Sequence, residues 1–358
     1  MMNRSAKEVS LIKYLGSKRT LIPVLTQLIA SSGAQTAIDL FTGTTRVARA
    51  MKALGLETTA SDVASYSEVF AKTWIELDGS AVDLRLLEKA IAELNQLPGR
   101  HGYFTETFCL QARYFQPENG ERVDAMREKI ESEYKGTWLY HPLLTSLILA
   151  ADRVDSTTGV QMAFLKSWSR RSRNSLELRD PDLLPGIGHA IRGDATDLAS
   201  SLPVSDLVYL DPPYNQHRYF GNYHVWESLV RWDKPETYGI ANKRVDTKFA
   251  ENKSAFNTRK TMPEALAKIV NDLRCETIML SYNNESWLSR EELLEIASAK
   301  GHVEILDFDF KRYVGSQIGV YNKAGEKVGM PAHKNNIEHI VIAGDRQTVR
   351  RMVSQLDG

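Results

Sequence analysis

The chain is predicted to be an α/β protein on a doubly wound sheet of seven strands, and three features of the sequence predict it. Short apolar segments recur, each ending in Asp or a small polar residue. Segments with helical periodicity follow them, as a mostly parallel sheet requires. One long interval, residues 78–187, breaks the alternation with a mainly helical pattern and reads as an inserted domain. The sheet domain is then assembled from residues 1–77 and 188–358.

Ala37-Ile38-Asp39-Leu40-Phe41 is the first strand, and Arg46 to Leu54 the helix behind it. Thr58 to Asp62 is the second, followed by a helix to about Ile75. Inside the insert, Leu84 to Leu94 is amphipathic and Leu143 to Val154 is apolar enough to be buried. The sheet resumes near Ala190 to Asp194, and Asp206 to Leu210 is a clear fourth strand. Thr277 to Tyr282 is the fifth, with a helix from Arg290 to Lys300 after it. Val303 to Phe310 alternates with period two, and Ile337 to Ile342 closes the series. Residues 234–261 are polar and turn-rich, a length of loop that is usually functional or disordered. In such sheets ligands bind beyond the carboxyl ends of the strands.

Composition narrows the function classes. The 358 residues carry 45 basic and 45 acidic side chains, so a nucleic-acid partner has to be argued from local clusters. Cys109 and Cys275 stand far apart with no metal-ligand spacing, which fits a reducing compartment and two buried thiols. Neither His217 nor His224 has neighbours suggesting a metal site or a nucleophilic triad. No 18 consecutive apolar residues occur, so a cytoplasmic protein without a membrane span is expected.

The chemistry lies in Asp211-Pro212-Pro213-Tyr214, which closes the fourth strand. Proline holds the residue before it extended, and two prolines remove two backbone donors. What remains is a fixed carboxylate beside bare carbonyls, an acceptor-only surface suited to an exocyclic amine. Hydrogen bonds to Asp211 and the Pro212 carbonyl would localise the lone pair of such an amine. Tyr214 can stack on a base extruded from a duplex. Positioning and electrostatics could then supply most of the acceleration, without a metal.

These residues resemble the adenine-specific DNA methyltransferases, in the group whose donor-binding motifs precede the target-recognition region and the catalytic motif. The resemblance implies a Rossmann-like, S-adenosylmethionine-dependent fold and makes the insert 78–187 the target-recognition region. Lys13-Tyr14-Leu15-Gly16-Ser17-Lys18 resembles the N-terminal motif, which implies that Tyr14 and Lys18 contact the donor, Lys18 near its carboxylate; a Gly-Ser turn before a helix is the alternative. Asp39-Leu40-Phe41-Thr42-Gly43-Thr44-Thr45 resembles the glycine loop, here reduced to the single Gly43, with Asp39, Phe41 and Gly43 against the donor. Asp62 would hold the ribose, or else cap the next helix. Asp194 would accept from the donor's adenine amine, with Ala195 beside it, and Asp211 would face donor and acceptor together.

Two basic segments supply the partner. Lys166 to Arg179 has five positive charges and one Glu, and includes Arg170, Arg171 and Arg173. Lys243 to Lys260 has six positive charges and two acids, with Lys243, Arg244, Lys253, Arg259 and Lys260 interleaved with Phe249 and Phe256. Local cation excess suits phosphates, although a solvated face is the common alternative for either segment. The aromatic run from His217 to Trp226 could wall a flipped-base pocket, while Val225, Trp226, Leu229 and Val230 have the spacing of helix core.

The expected function is methyl transfer to N6 of adenine in duplex DNA, as the modification enzyme of a restriction-modification system. A monomer or weak dimer is expected, with a cognate restriction endonuclease as a possible partner. The rivals are another acceptor on the same fold (N4 of cytosine, an RNA base or a protein glutamine amide) and a non-catalytic DNA-binding module. A nicotinamide-linked oxidoreductase is disfavoured because no G-x-G-x-x-G follows the first strand.

Overall fold

The computed structural model describes residues 11–213, 219–249, 254–284, 286–311, 320–321, 327–329 and 335–356. The seven expected strands form one sheet: β1 (Thr36–Asp39), β2 (Glu57–Asp62), β3 (Gly188–Arg192), β4 (Ser205–Leu210), β5 (Cys275–Asn283), β6 (His302–Lys311) and β7 (Asn335–Gly344). Their order is β3-β2-β1-β4-β5-β7-β6. The first five are parallel, and β7 runs antiparallel between β5 and β6. The strand order reverses between β1 and β4, where Asp39 lies in register with Tyr209. Clefts form at such reversals because the connections leave toward opposite faces.

Alternation along β4 shows how the layers are made. Leu207 and Tyr209 face a core completed by helices α1 (Ile22–Ser32), α2 (Arg46–Ala53) and α10 (Arg346–Ser354), while Val208 and Leu210 face one completed by α8 (Met262–Asp272) and α9 (Arg290–Ala297). Period-two burial on both faces is what a helix-covered sheet dictates. Local chemistry sets the ends: α1 stops at Gly33 with φ 76°, and α9 starts on a reciprocal capping box between Ser289 and Glu292.

Helix α3 (Ser65–Ala71), extended by a π-helical turn to Glu76, begins a third core. It packs with α4 (Leu84–Asn95), α5 (Pro117–Lys129), α6 (Tyr140–Val154) and α7 (His224–Arg231). The helical pattern expected of the insert is found over 84–154; residues 155–187 contain a single 3-10 turn, Arg170–Arg173. Because α3 and α7 share this core, the inserted helices are anchored on both chain segments that border the cleft. Val225, Trp226, Leu229 and Val230 are buried in it, as their spacing predicts.

The polar stretch 234–261 is organised around one arginine. Thr237–Tyr238 and Lys243–Arg244 pair antiparallel, and short 3-10 turns follow at Val245–Lys248 and Ala255–Asn257. The Arg244 guanidinium is 1% exposed and donates to both Asp233 carboxylate oxygens at 2.7 Å and to Asp246 at 2.8 Å.

Candidate active site

Four carboxylates converge at the carboxyl edge of the parallel strands: Asp39 ends β1, Asp62 ends β2, Asp194 follows β3 and Asp211 follows β4. A cleft of about 380 Å³ runs along this edge. Its walls include Tyr14, Phe41, Asp62, Asp194, Ala195, Asp211 and Pro213. A smaller cavity of about 40 Å³ adjoins it, lined by Lys18, Asp39 and Gly43 together with Tyr14, Phe41 and Asp211. Every residue expected at the donor site thus borders one of two adjoining spaces. Pro212 is buried behind Asp211, while Tyr214, His217 and Lys253 lie outside the described residues.

The turn after β1 needs its glycine. Gly43 has φ 52°, and a Cβ there would meet the Tyr14 ring at 3.1 Å. Its N–H donates to Asp62 Oδ2 at 2.8 Å, and the Ala64 N–H donates to Oδ1 at 3.0 Å. Asp62 thus braces the loop ahead of α3 through the Ala64 N–H, without capping the helix itself, and borders the cleft. Thr45, with φ 60°, takes a left-handed conformation in the same loop, which accounts for a tight turn with only one glycine.

Asp39 is buried. Its Oδ2 accepts from the Thr42 hydroxyl at 3.0 Å and from the Ala48 N–H at 3.1 Å, while Oδ1 has no partner among the described residues. Burial pushes its carboxyl up to about 7, against the hydrogen bond from Thr42 and with help from nearby Asp211.

Asp211 is held by charge. Lys18, 6% exposed, places Nζ 2.9 Å from Asp211 Oδ1 and 2.9 Å from Glu338 Oε1. Glu338 in turn accepts from the Ser281 hydroxyl at 2.6 Å. Burial pushes Asp211 up to about 6; Lys18 opposes that rise and Glu338 adds to it. Burial would also raise Glu338, but Lys18, Ser281 and Asn283 outweigh it and hold it below the usual range. Lys18 lines the small cavity, and its ammonium is paired with two protein carboxylates. Glu338 was not anticipated. Because β7 is antiparallel, its opening residues pair with the end of β5 (Glu338 opposite Asn283), which brings them to the carboxyl edge of the parallel strands.

Aromatic side chains complete the cleft. Tyr14 stacks on Tyr223 at 4.7 Å between ring centroids and lies 5.4 Å from Tyr219. The Tyr223 hydroxyl accepts from the Leu15 N–H at 2.7 Å, tying the N-terminal segment to the helical segment that follows the Asp-Pro-Pro turn. Tyr219 and Phe220, from the aromatic run, border the cleft. Phe41 meets Phe256 edge to face at 5.2 Å, so the second basic segment contributes an aromatic wall. Asp194 Oδ1 accepts from the Thr196 N–H at 2.8 Å and from its hydroxyl at 2.5 Å, capping the next turn. His224 is buried against the Gln161 carbonyl at 2.9 Å, and burial pushes it down to about 3, a neutral core histidine.

The basic residues divide. Arg170, Arg173, Arg259 and Lys260 are exposed, and Lys243 is half-buried. Arg244 cannot reach a phosphate, because burial and two carboxylates enclose it. The assignment of Arg244 to DNA is corrected on that ground. Arg171 is partly exposed, with its guanidinium on Asp155 Oδ1 at 2.5 Å and the Thr157 carbonyl at 2.6 Å.

A sheet of this order, with one antiparallel strand and an acidic, aromatic-walled cleft at the parallel edge, defines a Rossmann-like methyltransferase. The chain belongs to the D12 class N6 adenine-specific DNA methyltransferases, whose sequence profile matches residues 14–296. It is 31% identical over 328 residues to the modification methylase StsI of Streptococcus sanguinis, covering 86% of this chain and 50% of that one. It is 30% identical over 319 residues to the type II methyltransferase M.NlaIII of Neisseria lactamica, covering 84% and 92%. The type II methyltransferase M.CviAII of Paramecium bursaria Chlorella virus 1 is 26% identical over 332 residues, covering 88% and 96%. The chain therefore spans about half the length of the StsI relative and nearly all of the other two.

Proposed function

We propose that the protein transfers a methyl group from S-adenosylmethionine to N6 of an adenine in duplex DNA, as the modification enzyme of a restriction-modification system. The observation that carries this reading is Asp211, fixed by Lys18 at the head of a Pro-Pro turn where the two cavities join. The names of the relatives, modification methylases and type II methyltransferases, support the restriction-modification setting.

The residues present fit the donor. The unpartnered Asp39 Oδ1 beside Gly43 suits an ammonium in the small cavity. Asp62 suits ribose hydroxyls, and the part of the cleft lined by Phe41, Phe256 and Asp194 suits a purine. The bound donor supplies an electrophilic sulfonium methyl. The chain supplies the rest: Asp211 and the Pro212 carbonyl accept the two amine hydrogens and aim the nitrogen, Lys18 keeps Asp211 ionised, and the tyrosine-lined wall excludes water. Once the nitrogen is alkylated, Asp211 is placed to take the proton it loses. Arg170, Arg173, Arg259 and Lys260, with Lys243 beside them, would contact phosphates, and residues 78–187 would read the target sequence. A monomer acting in the cytoplasm is the simplest assembly for a duplex that presents one base at a time.

The test is transfer of labelled methyl from S-adenosylmethionine to unmethylated genomic DNA, with nucleoside analysis and an Asp211→Ala control. N6-methyladenine that falls by about a thousandfold or more in the control is expected, while S-adenosylhomocysteine binding stays within a few-fold. Label in N4-methylcytosine or in RNA would replace the acceptor. Donor binding without transfer would favour a non-catalytic binding module.

A further inference from the structure

One buried carboxylate at the cleft has no part in the chemistry above. Glu227, on α7, is 1% exposed and packs against the first turn of α3. Its Oε1 accepts from the Ser65 N–H at 2.7 Å, which supplies the cap that Ala64 cannot. That duty accounts for one oxygen only. Oε2 is buried and has no hydrogen-bond partner among the described residues, although Glu227 lines the large cleft beside Asp62, Val63 and Ser65. A buried carboxylate oxygen without a donor is costly, and a native site that retains one commonly completes it with a ligand.

We propose that Glu227 is a second acceptor for the ribose diol of the methyl donor, acting together with Asp62. This rests on the proposed use of S-adenosylmethionine. Both oxygens of Asp62 already take a backbone N–H, from Gly43 and from Ala64, so Asp62 alone is poorly equipped for two further hydroxyl hydrogens. Glu227 reaches the same loop, three residues further on at Ser65, with one oxygen uncommitted. Two vicinal hydroxyls offer two donors, and the two carboxylates flanking this loop can accept one each. Arg231, one turn along α7 and also on the cleft wall, does not complete Oε2, because it is paired with Asp233 at 2.8 Å and Asp246 at 3.2 Å.

The experiment is calorimetric binding of S-adenosylhomocysteine and its 2′-deoxy and 3′-deoxy analogues to the intact enzyme and to E227Q. Glutamine keeps an acceptor for the Ser65 N–H and replaces Oε2 by a donor, so its melting temperature should match that of the parent. For the parent, loss of one hydroxyl should weaken binding about tenfold, the size expected of a hydrogen bond to a charged group. E227Q should bind S-adenosylhomocysteine about tenfold more weakly and become indifferent to that hydroxyl. Parent-like affinity, or full sensitivity to both deoxy analogues, would reduce Glu227 to a helix cap. Equal loss for all three ligands would remove the diol assignment, as would a parent enzyme insensitive to both deletions, whether or not the variant folds. If the parent fails to bind S-adenosylhomocysteine at all, the donor reading falls, and this inference with it.

Discussion

The carboxyl edge of the sheet and the polar stretch 243–260 carry charge in opposite ways. At the edge, Lys18 is almost fully buried and shared between Asp211 and Glu338, so its charge acts on two neighbours at short range. In 243–260, Arg259 and Lys260 stand in solvent, where salt screens them and only a polyanion would gather them. Arg244 belongs to the basic segment by position and to the buried kind by environment. The lesson is that burial, more than charge count, separates a residue that shapes the fold or the chemistry from one left for a partner.

The largest effect is expected from Arg244→Ala. It would remove the buried guanidinium that Asp233 and Asp246 share, leaving them to Arg231 and opening a gap, and a stability loss of about 3 kcal/mol in denaturant unfolding is expected from the lost charge-assisted hydrogen bonds. The salt dependence of DNA binding should not change. A stable variant with a reduced salt slope would return Arg244 to the DNA-facing set.

Lys18→Met tests the other side. Asp211 is pushed up to about 6 with its cation in place, so in the parent the transfer rate should fall as pH drops through about 6, where the acceptor carboxylate is lost. Removing the cation favours the neutral carboxyl and moves that limb upward. Transfer at pH 7 should fall roughly a hundredfold, in line with a carboxyl losing an adjacent charge. An unmoved acid limb would show that Lys18 does not set the state of Asp211. Stability has the reverse sense. Because the folded pKa values of Asp211 and Asp39 are raised, their protonated forms favour the fold, and that contribution is lost as pH rises through about 6 to 7.

A smaller effect is expected at the rim. The double change Arg259→Ala, Lys260→Ala should weaken binding about tenfold for every DNA sequence and lower the slope of log affinity against log salt by about 2. A loss confined to one sequence would make these residues base readers. The least effect should come from Gly43→Ala, where a left-handed φ and the Tyr14 ring at 3.1 Å predict a cost of about 1 kcal/mol. That cost should appear in unfolding and as weaker binding of S-adenosylhomocysteine; a neutral result in both would mean that the loop and Tyr14 yield.

The seven strands, to within a few residues, the helices behind them and the Asp-Pro-Pro turn that ends β4 are legible in the sequence. Strand alternation, helical periodicity and proline's restriction of its neighbour are local effects, written in consecutive residues. Tertiary structure alone decided which charges meet. Glu338 reads as one polar position in an alternating strand and reaches Lys18 and Asp211 only because β7 lies antiparallel beside β5. Arg244 looked like its basic neighbours until its carboxylate partners closed around it, and Glu227 looked like a polar position on a helix until α7 packed against α3. A carboxylate's partners and its burial are set by elements distant in the chain, and those two quantities fix whether its charge serves the fold, the chemistry or a ligand.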